Sequence, residues 1–302
     1  MINGIILIRK EKGFTSHDVV KRVKTILGVK KAGHFGTLDP LAEGLLLVGV
    51  GNVTKFFDFF VGRNKTYSGI IKFGFSTTTY DSEGDQVGEK KDIDLNKIDL
   101  GELLSGFKGR FLQYPPKYSA KKYKGIPLYK YARKNLEVKI EPVEVEIFSL
   151  ETKILANDML SFRTVTSSGT YLRSLAHDIG AKAGTGAFLH ELTRETVGEF
   201  DLKDAITLQE LELQAGKESD LQKGVIPIEM LLEEFPRIVV SQNGSEMVRN
   251  GAMLSLKDIL EVSSGDDSEN YRIFDYDGNL LAFARKDSVL HRFKPFLVFN
   301  NK

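Results

Sequence analysis

The chain has 302 residues, about twice the usual domain length, with 41% hydrophobic residues, 27% charged residues and a net charge of +1; these values exclude a disordered or collagen-like chain and predict two globular units. Cysteine is absent, which removes disulfides, thiolate metal sites and cysteine nucleophiles and suits a reducing cytoplasm. No apolar run approaches the roughly 18 residues of a membrane span, and no export signal is expected.

In chain order, residues 5–8 (Ile-Ile-Leu-Ile) predict a short buried strand that ends in a charged loop and Gly13. A helix follows, with Thr15 or Ser16 as N-cap, Asp18 completing a capping box with Thr15, and Val19, Val20, Val23, Ile26 and Leu27 on one face; Gly28 marks its end. Residues 45–50 and 67–73 read as strands, the second with Tyr67, Gly69, Ile71 and Phe73 alternating onto one side. An imperfect apolar stripe predicts a helix over 92–107, and Tyr114-Pro115-Pro116 breaks regular structure. Strands are expected at 143–150 and 159–165, then a helix over 170–183. Near Phe235-Pro236 an acidic helical stretch gives way to short strands at 237–241, 271–274, 280–283 and 295–299, with Asp277-Gly278 as a hairpin turn and 263–270 as a polar acidic loop. The expected organisation is an α+β domain over 1–235, built on a mixed and mainly antiparallel sheet, and a small β-rich domain over 236–302.

Charge is unevenly spread. Residues 1–35 carry eight Lys/Arg against two acids, and residues 117–139 carry eight against Glu137 alone, whereas residues 201–235 hold nine acids and three lysines. Basic faces beside an acidic one are the footprint expected of a partner with a phosphate backbone. The basic segment at about 114–140 also interleaves Tyr118, Tyr123, Tyr129 and Tyr131, a composition suited to gripping RNA.

Several chemistries lack their motifs. There is no phosphate loop of the G-x-x-x-x-G-K-[ST] type, Gly49-Val50-Gly51 lacks the third glycine of a dinucleotide fingerprint, the five histidines show no metal-ligand spacing, and no serine sits in a G-x-S-x-G elbow. Neither a metal nor a cofactor is expected. The segment Gly33-His34-Phe35-Gly36-Thr37-Leu38-Asp39-Pro40-Leu41-Ala42-Glu43-Gly44 stands out, because glycines make it a loop and Pro40 biases Asp39 toward extended angles. An Asp-Pro pair alone would read as a turn or a helix cap.

Taken whole, the segment resembles the G-H-x-G-T-L-D-P-L-A-x-G catalytic motif of the TruB family of tRNA pseudouridine synthases. Further blocks agree in order: Asn3-Gly4-Ile5, Gly13-Phe14-Thr15-Ser16, Lys65-Thr66-Tyr67, the run from Gln113 through Pro116 to Ala120, the run from Leu128 to Arg133, and the run from Ser168 to Leu175. The resemblance extends to about Phe200. The family usually has Asp-Lys-Pro-x-Gly after the first strand, where this chain has Arg9-Lys10-Glu11-Lys12-Gly13; Lys10 and Gly13 keep their places and the proline is missing.

The resemblance implies an enzyme that converts uridine 55 in the TΨC loop of tRNA to pseudouridine, with Asp39 as catalytic carboxylate, Arg173 as its partner and Tyr67 stacking on the base and serving as a general base. His34 would occupy space near the extruded nucleotide, Tyr171 and Leu192 would line the uracil pocket, and Lys10 would be a further substrate contact. A core helix is the competing expectation for Leu192. A cation such as Arg173 in the first turn of a helix opposes the macrodipole unless a carboxylate is near. The C-terminal module would be a PUA-like RNA-binding domain. One carboxylate can suffice because an isomerase keeps its leaving group, whereas glycosidases use two. No protein partner is implied, so a monomer is expected. A non-catalytic tRNA-binding protein using the same surface is the alternative; a sugar hydrolase fits poorly with the basic faces and the absence of tryptophan.

Overall fold

The computed structural model describes residues 3–215, 223–263 and 268–299. It divides into two compact units, Met1–Val225 and Ile226–Lys302, about ten residues before the break in sequence character at Phe235-Pro236.

The first unit is built on one sheet. Its strands are β1 (Gly4–Lys10), β2 (Ala32–His34), β3 (Glu43–Val50), β4 (Lys65–Phe73), β5 (Gly109–Gln113), β6 (Val143–Ala156), β7 (Met159–Thr166), β8 (Ala187–Val197) and β9 (Phe200–Asp201). They run side by side in the order β1, β3, β8, β4, β7, β6, β5, with β2 also on β3 and β9 on β8. All of these pairs are antiparallel except β8 with β3, which meet in parallel only at Thr193 with Glu43 and Arg194 with Gly44. The unit is thus a mixed, mainly antiparallel α+β domain.

The three longest helices among the described residues of this unit are α1 (Ser16–Leu27), α2 (Leu172–Lys182) and α3 (Leu208–Ala215). The capping box of α1 forms, with Thr15 and Asp18 exchanging side-chain and backbone hydrogen bonds, and Gly28 closes the helix in the left-handed conformation. Val19, Val20 and Val23 are buried with Ile6, Ile8, Leu46 and Val48 from β1 and β3. Each such aliphatic side chain contributes about 1.5–3 kcal/mol on burial.

Two sequence expectations fail. The helix over 92–107 is two short pieces, a 3-10 turn Leu95–Lys97 and a helix Leu100–Leu104. Asp94 and Asp99 each cap their own piece by accepting from the backbone N–H of Asn96 and Glu102, and Ile98 between them is extended; two N-caps five residues apart cannot share one helix. Leu192 lies not on a core helix but on β8, hydrogen-bonded between β3 and β4 near the middle of the sheet.

The second unit is a five-stranded sheet of β10 (Arg237–Val240), β11 (Ile259–Val262), β12 (Asn270–Phe274), β13 (Leu280–Asp287) and β14 (Arg292–Val298) in the order β11, β10, β12, β13, β14, with helix α4 (Gln242–Arg249) packed against it. Its own core holds Ile238, Val240, Tyr271, Ile273 and Phe293. The hairpin between β12 and β13 turns at Gly278, whose N–H donates to Asp275 and whose φ is +83°. Residues 264–267 of the expected acidic loop lie outside the described residues.

Candidate active site

Asp39 lies in the irregular stretch between β2 and β3, followed by a tight turn in which the Ala42 N–H donates to its carbonyl. It caps no helix. Three ties fix this loop. The Ser16 hydroxyl, at the start of α1, accepts from the Leu38 N–H at 2.8 Å and donates to the Leu38 carbonyl at 3.0 Å. The Gly13 N–H donates to the Pro40 carbonyl at 2.8 Å. Arg194, 1% exposed on β8, donates to the carbonyls of Gly36, Thr37 and Leu45.

Arg173 is the second residue of α2, and its side chain is 6% exposed. Its Nε lies 2.8 Å from Asp39 Oδ2, and its Nη2 donates to Asp39 Oδ1 at 3.1 Å. One hydrogen bond and one close ion contact from the same guanidinium fix the carboxylate in position. Nη2 also donates to the Tyr118 carbonyl and Nη1 to the Thr79 carbonyl, while Nη1 stands 3.5 Å from the buried Asp81. Burial pushes the Asp81 carboxyl up, opposed by the hydrogen bond from Thr79 and by the Arg173 charge. A cation in the first turn of α2 is therefore offset by two acids.

Asp39 and Arg173 open onto a cavity of about 250 Å³, lined also by Tyr67, Tyr171, Leu192, Lys65 and Arg194. This volume sits just below the roughly 300–1,000 Å³ common for small-molecule sites and suits a ligand of single-base size. Tyr67 stands on β4 and is 8% exposed. Tyr171 precedes α2; the Gln113 amide at the end of β5 accepts from its N–H at 2.8 Å and donates to its carbonyl at 3.0 Å. Burial raises the Tyr171 hydroxyl above its ordinary value.

The structure brings Asp39, Tyr67, Tyr171, Arg173 and Leu192 together around this cavity. Lys10 and His34 are not among its lining residues. Lys10 is 1% exposed, and its ammonium donates to the carbonyls of Glu11 and Phe14 at 3.0 and 2.7 Å; it holds the loop that lacks the family proline. Burial lowers its pKa to about 8. His34, half-buried on β2, has a buried Nδ1 without a hydrogen-bond partner, and burial followed by the Arg194 charge lowers its pKa. Lys65, Asp81, Gln113 and Arg194 are site residues that sequence reasoning missed. Lys65 and Gln113 carried a signal, each lying in a block that the resemblance covers; Lys65 is also two residues before Tyr67 and so shares its face of β4.

The basic segment forms a hairpin of Lys122–Tyr123 with Ile126–Pro127 and a helix Leu128–Ala132. Tyr131 packs edge-on against Tyr123, and Arg133 lies over the Tyr129 ring. Lys122, Lys124, Lys130, Arg133 and Lys134 remain exposed.

The profile of the TruB family pseudouridylate synthase N-terminal domain matches residues 24–172, and that of the tRNA pseudouridylate synthase B C-terminal domain matches residues 173–233. The tRNA pseudouridine synthase B of Solibacter usitatus is 42% identical over 83% of this chain and 85% of its own length. Those of Thermotoga maritima and Bacillus subtilis are 38% and 39% identical, over 95% and 93% of this chain and 91% and 92% of theirs. Among solved structures, a chain of a Cbf5-Nop10-Gar1 complex superposes with a TM-score of 0.69 at 26% identity, covering 99% of this chain and 84% of that one. A chain of an H/ACA RNP bound to a substrate RNA containing 2'-deoxyuridine gives 0.70 at 24% identity, over 98% and 85%, a likeness of fold. The β-rich C-terminal module is consistent with a PUA-like domain.

Proposed function

We propose that this chain, which belongs to the TruB family of pseudouridylate synthases, isomerises uridine 55 in the TΨC loop of tRNA to pseudouridine, with Asp39 as the catalytic carboxylate. The observation that carries the reading is the Asp39 carboxylate held 2.8 Å from Arg173 at a base-sized cavity. Side-chain exposure of 34% leaves Asp39 within reach of a ligand, while its partner is buried and rigid. Relatives named tRNA pseudouridine synthase B, aligned over most of the chain, support tRNA as the substrate.

In this reading the uridine leaves its stack and enters the cavity. Tyr67 stacks on the base and acts as general base, with Tyr171 and Leu192 closing the pocket around uracil. Unstacking costs a few kcal/mol, of which an aromatic contact returns about 1–3 kcal/mol. The basic segment at 114–140 supplies phosphate contacts for the remainder. His34 occupies space near the extruded nucleotide, and Lys10, buried with its ammonium on the Glu11 and Phe14 carbonyls, shapes the neighbouring loop. Asp39 meets the ribose, by direct attack or through a glycal. The reaction has no net redox change and no hydrolysis, so ordinary side chains suffice without metal or cofactor. The C-terminal module binds RNA, and the enzyme acts as a cytoplasmic monomer; no helix among the described residues is long and apolar enough to cross a membrane.

Isomerisation must expel the hydrogen at uracil C5. Transfer RNA tritiated at C5 is expected to release label with the wild-type protein, and a transcript carrying cytidine at position 55 in place of the target is expected to release none. Asp39→Asn keeps the side-chain shape and should bind tRNA while releasing no label. A folded wild-type protein that binds tRNA without release would leave a non-catalytic RNA binder as the better reading.

A further inference from the structure

Lys65 opens β4, two residues before Tyr67, and both side chains line the cavity that holds Asp39. Lys65 is 5% exposed. Its ammonium donates to the carbonyls of Val61 at 2.5 Å and Arg63 at 2.6 Å, which leaves one of its three hydrogens uncommitted. Among the described residues its strongest charged neighbour is another cation, Arg194, and no carboxylate pairs with it. A buried ammonium without a counter-ion is expensive to keep. Backbone tethering does not require it, because the Ser168 hydroxyl already donates to the same Val61 carbonyl at 2.6 Å.

The other cavity charges are committed. Asp39 and Asp81 share Arg173, and Arg194 is occupied with three loop carbonyls. Lys65 is left as a desolvated cation with a spare donor at the place where a base would lie.

We propose that Lys65 is a further catalytic residue, whose ammonium receives the negative charge that collects on uracil as the glycosidic bond breaks. This rests on the pseudouridine synthase reading above. In that step the C1′–N1 bond breaks and its electron pair passes into the uracil ring, where it spreads onto O2 and O4. The electron-poor C1′ is met by Asp39. The base turns, C5 bonds to C1′ as Asp39 releases it, the C5 hydrogen leaves as a proton to a base in the site, and N1 takes up a proton in its place, so no oxidant, reductant or co-reactant is needed. A fixed cation in a site poor in water stabilises charge that appears only on the way to the transition state. Burial, with Arg194 adding to it, brings the Lys65 pKa down to about 8, so at neutral pH the group remains charged.

The test compares single-turnover rates of wild type, Lys65→Gln and Lys65→Arg on tRNA carrying uridine or 5-fluorouridine at the target, following cleavage of the N-glycosidic bond. Fluorine makes the departing base more acidic and lessens its need for a cation. Lys65→Gln keeps a donor for the carbonyls but removes the charge; it is expected to lose about 100-fold or more on uridine, and at least about 10-fold less than that on 5-fluorouridine, with KM little changed. Lys65→Arg should retain more activity on uridine than the glutamine variant, and melting curves on both variants verify folding. Equal losses on the two bases, or a Lys65→Gln enzyme as fast as wild type, would overturn the proposal while leaving the synthase reading intact. Failure of wild type to act on uridine would remove that reading, and this inference with it.

Discussion

At Arg173 a single guanidinium joins three other segments: the Asp39 loop, the turn that holds the carbonyl of Thr79 and the carboxylate of Asp81, and the carbonyl of Tyr118. None is close to it in the chain, so the sequence offers no periodicity from which to read them. Asp178, five residues before the close of α2 at Ala183, is a residue of another kind. Burial raises its carboxyl to about 6, and among the described residues no partner offsets the burial. Its folded pKa lies above the ordinary value near 3.9, so the folded state holds the proton more tightly. The penalty from Asp178 is therefore absent below about pH 4, grows as pH rises toward 6, and is complete above that. Asp178→Asn is expected to raise stability at pH 7.5 by on the order of 1–2 kcal/mol, after allowance for partial exposure, and to change it little at pH 4. Urea midpoints at the two pH values check this; an equal effect at both would point to a cause other than charge.

Among the elements, those with local signals were legible. The start and end of α1 followed from Thr15, Asp18 and Gly28, because a cap is a contact between residues three or four apart. Strand β4 followed from its alternation. Strand β8 was not foreseen, for a reason visible in its pairing: its ladder with β4 shifts register between Leu189 and Glu191 and again between Arg194 and Thr196, and each shift breaks the period of two on which a strand is recognised. The same holds within the site. Asp39, Lys65, Tyr67, Tyr171 and Arg173 sit in motif blocks, whereas Arg194 is a buried cation satisfied by carbonyls 149 to 158 residues away. The junction of β3 and β8 depends on Gly44, whose φ is +108° and where an added Cβ would lie 2.3 Å from the Arg194 carbonyl oxygen. Gly44→Ala should destabilise the fold by about 2–4 kcal/mol, seen as a lowered denaturant midpoint. A substitution without effect would mean that β3 and β8 can separate freely.

For the molecule as a whole, a net charge of +1 understates its attraction for a polyanion, because the basic residues cluster at 1–35 and 117–139 while acids gather at 201–235. If half a dozen phosphates are neutralised, tRNA affinity should fall by about 1,000-fold between 50 and 200 mM salt, while turnover at saturating tRNA stays constant. Filter binding across a salt series measures the slope; a flat response would place recognition outside the basic segments.

The hydrogen bond from Arg173 to the Tyr118 carbonyl has a mechanical meaning. Tyr118 belongs to the basic stretch at 114–140, so under the proposed function any pull exerted there by a bound polynucleotide would be felt at the guanidinium and, one ion pair further, at Asp39. In that reading grip and chemistry share a hinge pin: before the substrate is seized, the carboxylate is already tethered to the hand that would do the seizing.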